Sequence, residues 1–164
     1  MADLLWAPWR MEFIGGPPEP GCLFCRTGRR GADDRENLVL WRGQRNFVIL
    51  NRYPYTNGHM MVAPYRHGGA LADLTAAEGA ELLRLAGRCT TVLAAAARAE
   101  GFNVGFNLGK VAGAGVDDHL HLHVVPRWAG DTNYLPVIGG TRVMPEYLGE
   151  TFRKLQPHFH AAAE

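Results

Sequence analysis

Three histidines alternate with branched apolar residues in the run Asp-His-Leu-His-Leu-His-Val-Val-Pro-Arg at 118–127. Alternation is the period of a β-strand, so His119, His121 and His123 are expected on one face, with leucine and valine on the other. A glycine-rich loop at 109–115 precedes the run, and its backbone N–H groups can approach a phosphate. An imidazole row beside such a loop indicates chemistry on a phosphate. The alternative is a polar sheet face whose histidines are hydrogen-bonded and purely structural.

Several motifs carry a family resemblance. The run His119-x-His121-x-His123 resembles the signature of the histidine-triad (HIT) nucleotide hydrolases and transferases. Asn107-x-Gly109 followed by Ala112-Gly113 resembles the phosphate loop of that family. Within the family, the chain is most similar to the bacterial diadenosine tetraphosphate phosphorylases (ATP adenylyltransferases), through motifs at 6–10, 51–55, 101–105 and 126–133.

Apolar runs and turn residues predict five strands. The runs lie at 38–41, 47–50, 59–63, 102–108 and 119–126, and the polar residues 42–46 between the first two indicate a hairpin. The sequence thus predicts an α+β fold with a five-stranded, mostly antiparallel sheet. HIT proteins share this fold.

Two helices complete the expected fold. Thr75-x-x-Glu78 has the form of a capping box, and leucine and alanine recur at helical spacing from there to Glu100. Gly101 suits the end of this long helix, and packing on the sheet would explain its internal glycines. A short C-terminal helix is expected from Pro145 to about Leu155. The whole chain, 1–164, is expected to be a single domain, with an N-terminal arm at 1–20 and a C-terminal extension at 129–164.

Net charge and the lengths of the apolar runs limit the classes of partner that the sequence predicts. The 164 residues carry 17 basic and 16 acidic side chains, a net charge of +1, so no overall field recruits nucleic acid. No apolar run approaches the roughly 20 residues of a membrane span, and the N-terminus lacks a signal-peptide pattern. The expected setting is the cytoplasm, without membrane or nucleic-acid partners. There, two nearby cysteines more often indicate a metal than a disulfide.

The resemblance implies roles for two histidines. In HIT enzymes the middle histidine attacks the α-phosphate and forms a nucleotidyl-histidine, which makes His121 the expected nucleophile. Neutral imidazole is a competent nucleophile, because its ordinary pKa is about 6.5. The third histidine contacts the same phosphate, so His123 is expected to stabilise its oxygens. A nucleophilic ring needs an acceptor at its second nitrogen, and the sequence does not identify that acceptor.

The phosphate loop departs from one branch of the family. Asn107 and the backbone of Gly113, Ala114 and Gly115 are expected to hold phosphate oxygens. The hydrolase branch has Gln-Ser at positions 114 and 115, so this chain lacks two side-chain donors. The departure agrees better with the phosphorylase branch.

Other polar residues have less specific roles. Asn51 stands where the family has an acidic residue that binds the ribose, and an amide oxygen can do the same. Arg52 could reach a phosphate or remain a solvated loop residue. Asp117 and Asp118 are expected to point to solvent or to orient a histidine, because carboxylates repel a polyphosphate. Core packing is favoured over a base pocket for three further residues: Leu40, Phe47 and Leu50.

Cys22-x-x-Cys25 has the spacing of a zinc knuckle, although thiol–disulfide chemistry uses it too. The resemblance implies two further ligands, His67 and His119, because some HIT proteins hold a structural zinc this way. Four protein ligands would close a tetrahedral site. No organic cofactor is expected.

The function expected from the resemblance is cleavage of diadenosine tetraphosphate by inorganic phosphate, giving ATP and ADP through a nucleotidyl-histidine. A hydrolase of dinucleoside polyphosphates or nucleoside phosphoramidates would use water instead. A metalloenzyme with a catalytic metal on the triad and a non-catalytic nucleotide-binding module are further alternatives. HIT proteins pair as homodimers, which implies a dimer here.

Overall fold

A computed structural model describes residues 21–131 and 144–161, and these residues form a five-stranded sheet with helices packed against it. The strands are β1 (Val39–Arg42), β2 (Asn46–Leu50), β3 (Met60–Pro64), β4 (Gly101–Phe106) and β5 (Leu122–Arg127). Their order is β1-β2-β3-β5-β4, and every neighbouring pair is antiparallel. The predicted fold class and all five strands are confirmed. The N-terminal arm at 1–20 and most of the loop before the final helix lie outside the described residues.

The described helices are α1 (Leu23–Thr27), α2 (Ala76–Ala97) and α3 (Leu148–Ala161), with short 3-10 turns at Leu71–Asp73 and Lys110–Ala112. The capping box at the start of α2 is confirmed. Thr75 accepts from the Glu78 backbone N–H, and the Glu78 carboxylate accepts from the Thr75 N–H. Such a cap contributes about 1 kcal/mol. None of the described helices is both long and apolar enough to cross a membrane.

The end of α2 differs from the sequence expectation. Arg98, with φ +53°, is the left-handed residue that ends the helix, and Gly101 instead opens β4. Packing on the sheet also does not explain the two glycines inside α2, contrary to the prediction. A Cβ at Gly79 or Gly87 would meet nothing within 4 Å, so packing in this chain does not require either glycine.

A buried carboxylate fixes the predicted hairpin between β1 and β2. Glu81 of α2 is 8% exposed and accepts from the backbone N–H groups of Gln44, Arg45 and Asn46 at 2.7–2.9 Å. These bonds lower the pKa of Glu81 despite its burial. A helix side chain therefore holds the turn that sets the register of the first two strands.

The starts of β5 and of the final helix differ from the predicted positions. β5 begins at Leu122 and not at His119, because the Leu120 N–H donates to the Gly68 carbonyl outside any strand ladder. The final helix begins at Leu148 and not at Pro145, and it continues through Pro157 to Ala161. An interior proline costs about 3 kcal/mol, and burial of apolar side chains such as Phe159 on both sides of it outweighs that cost.

The hydrophobic core lies between the sheet and the two longer helices. α2 packs against β2, β3 and β5, while α3 packs against β1 and α2. Leu40, Phe47 and Leu50 are each at most 1% exposed and belong to this core, as expected.

Candidate active site and metal site

The three triad histidines lie together at the start of β5. His119, His121 and His123 are all buried, with at most 8% of each exposed. The ring centroids of His121 and His123 are 4.9 Å apart, and the Phe24 ring packs against both His119 and His121. The alternating pattern thus gathers the imidazoles as expected, although the first two precede the strand itself.

Backbone geometry fixes the protonation of His121. Its Nδ1 lies 2.8 Å from the His119 carbonyl oxygen, so Nδ1–H donates and Nε2 keeps its lone pair. The His119 carbonyl is the acceptor that the sequence did not identify. Burial lowers the pKa of His121, which keeps the ring neutral at neutral pH. A neutral ring with a fixed tautomer is the form that can attack phosphorus.

A fourth histidine fixes the protonation of His123. The Tyr55 backbone N–H donates to His59 Nδ1 at 3.1 Å, so His59 carries its proton on Nε2. That proton is donated to His123 Nδ1 at 2.9 Å. His123 must then carry its own proton on Nε2. This atom is buried and has no hydrogen-bond partner among the described residues. A buried donor of this kind is suited to a phosphate oxygen.

Burial keeps this histidine pair uncharged. Desolvation lowers the pKa of His59 to about 3, with help from the neighbouring His123 and His121. Desolvation likewise lowers the pKa of His123 to about 4, with a smaller effect of His121. Both rings are therefore neutral at neutral pH, which the assigned tautomers require.

An open cleft of about 840 Å³ adjoins these residues. The residues that line it include His123, Asn107, Tyr55, Arg127, Trp128 and Lys154. The Asn107 amide donates to the Tyr55 hydroxyl at 3.3 Å. His121 is not among the lining residues and lies against Phe24, with 4.7 Å between ring centroids.

The glycine-rich loop lies beside Asn107. A Cβ at Gly113 would lie 4.0 Å from the Asn107 amide nitrogen, and positive φ angles at Gly109 and Gly113 shape the turn. The N–H groups of Gly113 and Ala114 donate to carbonyls within the loop, at Lys110 and Gly109 respectively. Gly115 makes no backbone hydrogen bond of this kind in the described part of the chain. Of the predicted loop donors, the structure brings Asn107 to the cleft.

Asn51 and Arg52 are not among the residues that line the cleft. The Asn51 amide lies 3.3 Å from His59 Nδ1, and its oxygen accepts from the Tyr53 N–H. Arg52 donates to the Glu36 carbonyl oxygen. The predicted ribose and phosphate contacts of these two residues remain predictions.

The predicted metal ligands meet at the other end of the histidine row. One ligand atom from each of Cys22, Cys25, His67 and His119 lies within 4.8 Å of all the others. Cys22 Sγ is 3.3 Å from His119 Nδ1, and Cys25 Sγ is 3.4 Å from His67 Nδ1. Ligand atoms of a tetrahedral zinc lie about 3.5 Å apart, given Zn–S and Zn–N bonds of about 2.3 and 2.0 Å. The donor set and its spacing therefore fit Zn²⁺.

Both metal-facing histidines have a second partner. His119 Nε2 donates to the Pro64 carbonyl at 2.9 Å, which leaves Nδ1 with its lone pair towards the cysteines. His67 Nε2 lies 3.8 Å from the Asp118 carboxylate. The Asp118 side chain is also exposed, and the exposed Asp117 carboxylate lies 3.7 Å from Lys110, so an orienting role for either aspartate remains a prediction.

Two residues of this region have no signal in the local sequence pattern. The apolar run at 59–63 predicts only that His59 opens a strand, and no motif points to Phe24. Both residues contact the histidine row from segments that are distant in the sequence, so the spacing of neighbouring residues does not reveal them. The signal for His59 was topological: it stands next to β3, which pairs with the histidine strand through Met60–Val124 and Met61–His123.

An antiparallel five-stranded sheet with this histidine row at an interior strand defines a histidine-triad protein. The HIT domain family matches residues 34–130, and the chain belongs to that family.

The chain is 42% identical over 160 residues to an AP-4-A phosphorylase of Mycobacterium tuberculosis, covering 92% of this chain and 81% of that protein. It is 28% identical over 130 residues to an adenosine 5'-monophosphoramidase of Saccharomyces cerevisiae, covering 77% of each. A solved Zn-bound histidine triad family protein of Mycobacterium smegmatis superposes with a TM-score of 0.69 at 28% identity, covering 85% of this chain and 94% of that one.

Proposed function

We propose that the chain transfers a nucleotidyl group from diadenosine tetraphosphate to inorganic phosphate. The observation that carries this proposal is the pair of fixed tautomers: His121 offers an Nε2 lone pair, and neighbouring His123 offers an Nε2 proton. The similarity to an AP-4-A phosphorylase over 92% of the chain supports the choice of substrate. The missing side-chain donors at Ala114 and Gly115 agree with it.

The reaction proceeds in two displacements. His121 Nε2 attacks the α-phosphorus, the adjoining phosphoanhydride P–O bond breaks, and ATP leaves. The His123 Nε2–H donates to a non-bridging oxygen and stabilises the charge that develops there. An oxygen of inorganic phosphate then attacks the same phosphorus, the P–N bond breaks, and ADP leaves with His121 regenerated. Asn107 contributes a further hydrogen bond to the phosphate oxygens.

A hydrolase would use the same intermediate with water as the acceptor. The similarity to a monophosphoramidase is the observation that favours it. Incubation with diadenosine tetraphosphate, with and without inorganic phosphate, separates the two. ATP plus ADP formed only with phosphate establishes the phosphorylase, whereas ATP plus AMP without phosphate establishes the hydrolase and overturns the proposal.

The four-ligand cluster is assigned a structural zinc. Cys22, Cys25, His67 and His119 would hold the ion, which would tie the segment around α1 to the histidine row. Zinc with four protein ligands leaves no open position, so it supplies stability and no catalytic water. The nucleotide chemistry then belongs to His121 and His123.

A homodimer completes the proposal. Among residues 21–131 and 144–161, β4 pairs on one side only, with β5, and its other edge has no strand partner within these ranges. Val104 on this strand is 49% exposed, and Leu83 on α2 is 66% exposed. These features support pairing of two copies across α2 and β4. Light scattering would then give a mass near twice that of one chain, and a monomeric mass would exclude the dimer.

The thiol pair supports a cytoplasmic setting, where thiols stay reduced.

A further inference from the structure

The short segment that carries the proposed nucleophile precedes the strand that follows it. β5 and its pairing with β3 and β4 begin at Leu122, and residues 117–121 have no strand partner in the described part of the chain. The connection that follows β3 lies beside them instead. The Gly68 carbonyl of this connection accepts from the Leu120 N–H at 2.7 Å. Contacts with this connection therefore hold the segment in place of a strand ladder.

The Leu120 N–H and the His119 carbonyl belong to the same peptide unit. At one end this unit donates to Gly68, and at the other it accepts from His121 Nδ1 at 2.8 Å. Because a peptide is planar, a bond that fixes its N–H also fixes the direction of its C=O. A hydrogen bond at one end also polarises the peptide and strengthens the bond at the other. A continuous chain of hydrogen bonds thus runs from Gly68 to the nucleophilic ring.

The neighbouring glycine, Gly69, allows this approach. A Cβ at Gly69 would overlap the Asp117 carbonyl oxygen and would lie 3.2 Å from the Asp118 Cα. Both are backbone atoms, so they cannot turn away as the end of a flexible side chain does. Gly69 is not among the residues with positive φ, so the requirement for glycine here is one of space. Close approach of two backbones is a regular use of glycine.

We propose that the backbone of Gly68 and Gly69 positions the proposed nucleophile, His121. The close approach at Gly69 brings the Gly68 carbonyl to the 119–120 peptide, and that peptide holds the His121 ring with its proton on Nδ1. Neither glycine lines the cleft, so both act through the peptide and not on the substrate. The inference rests on the proposed nucleophilic role of His121 and adds the residues that orient it.

The test compares Gly69→Ala with Gly43→Ala. The first variant places a methyl group against the Asp117 backbone and should push the two segments apart. The second introduces a comparable overlap in the hairpin between β1 and β2, where a new Cβ would lie 2.8 Å from the Asn46 carbonyl oxygen. Both variants should lower the melting temperature. A lower stability alone therefore does not account for a difference in turnover between them.

Turnover, zinc content and the NMR shifts of the His121 ring nitrogens are measured in both variants and in wild type. Gly69→Ala should lower kcat by about 10- to 100-fold, with the KM for diadenosine tetraphosphate within about twofold of wild type. The ring nitrogens of His121 should shift away from the wild-type pattern of a proton on Nδ1. Gly43→Ala should keep both kcat and this pattern.

Hydrogen exchange in wild type adds a test that does not depend on the folding of a variant. The Leu120 amide should exchange as slowly as the amides of β5, although it precedes that strand, because Gly68 accepts from it. Exchange as fast as that of exposed loop amides overturns the inference. Unchanged His121 ring shifts in Gly69→Ala also overturn it, as does an equal fall of kcat in both variants.

Loss of zinc from Gly69→Ala with unchanged His121 ring shifts would place the effect at His67 and would likewise overturn the inference. Failure of the proposed function is distinguishable from these outcomes. Wild type would then form no nucleotidyl-enzyme or need no phosphate, while its ring shifts and the slow exchange of Leu120 would stay as expected.

Discussion

His119 and His123 stand four residues apart in one histidine row, yet their ring nitrogens have different surroundings. His119 uses both: Nε2 donates to Pro64, and Nδ1 faces the cysteines. His123 uses only Nδ1, which accepts from His59, and its buried Nε2 has no partner within the described ranges. A ring bonded at both nitrogens is held in place, whereas a buried ring with one unbonded nitrogen is ready for a ligand. We call the end of the row at His119, beside the proposed zinc ligands, the metal half, and the end at His123, beside the proposed phosphate site, the substrate half.

His121 stands between the halves and depends on both. Its Nδ1 donates to the carbonyl of His119, from the metal half, and its ring lies 4.9 Å from that of His123, in the substrate half. Phe24, between the two cysteines in sequence, packs against the His121 ring. The metal half therefore supports the orientation of the proposed nucleophile. The division can be tested by changing one half at a time.

The largest expected effect is at His121. His121→Ala removes the proposed nucleophile, so turnover should fall by at least about 10⁴-fold, to the background rate. Zinc content should stay near wild type and the chain should still fold, because the ring is not a metal ligand in this arrangement. Activity near that of wild type would exclude His121 as the nucleophile. Loss of zinc with the activity would favour a catalytic metal on the triad instead.

Cys25→Ser should break the metal half alone. Replacing one of four zinc ligands should lower the free energy of unfolding by roughly 2–4 kcal/mol and reduce the zinc content, with a smaller effect on nucleotide affinity. Metal analysis and thermal melts measure both. The matched control is Cys89→Ala, since Cys89 is buried in α2 away from the cluster and should keep one zinc per chain. One zinc per chain retained in Cys25→Ser would contradict the four-ligand site.

These two variants probe features that the sequence predicts well, and the physical reason is locality. The alternation at 119–123, the Cys-x-x-Cys spacing and the capping box at Thr75 are patterns within a few residues, and each has one geometric consequence. The fold class follows from the same kind of periodicity.

The remaining features depend on contacts between distant segments. The bond from His59 to His123 joins residues 64 apart, and the Asn107 contact with Tyr55 joins residues 52 apart. Nothing near His59 in the sequence distinguishes a core histidine from one that sets a tautomer. The end of α2 shows the converse error, because Gly101 fits a local rule for helix ends while Arg98 takes the left-handed conformation. Tertiary pairing of β4 with β5 decides that boundary.

Removing the His59 side chain should break the substrate half. His59→Ala frees the tautomer of His123, so kcat should fall by about 10- to 100-fold. His59→Gln places an amide N–H near the original Nε2 donor and should restore part of this loss. Steady-state kinetics at saturating substrate measure both. Equal rates in wild type and His59→Ala would contradict the assigned role.

The pH dependence of stability gives a second test of His59. The pKa of His59 is lowered from 6.5 to about 3 by burial, so between these values the unfolded chain binds more protons than the folded one. This contribution to stability is complete above pH 6.5 and is lost as the pH falls towards 3, at up to about 1.4 kcal/mol per pH unit. His59→Gln should show a shallower acid decline in denaturant unfolding than wild type. An identical decline would contradict the buried, neutral state of His59.

The smallest expected effect is on the free energy of unfolding, from a residue that belongs to neither half. It serves as a control for the variants in both halves. Arg98 is exposed and has φ +53° at the end of α2, a conformation that favours glycine. Arg98→Gly should therefore raise the free energy of unfolding by up to about 1 kcal/mol, while zinc content and turnover stay unchanged. Gly101→Ala is the matched control, because Gly101 lies in β4 with only an ordinary contact at 3.9 Å for a new Cβ, and its effect should be smaller. Urea unfolding resolves the two. A larger effect from Gly101→Ala would show that the helix ends at the glycine. A change in turnover from Arg98→Gly would show that a change in stability alone alters the site. The losses expected from Cys25→Ser and His59→Ala could then not be assigned to separate halves.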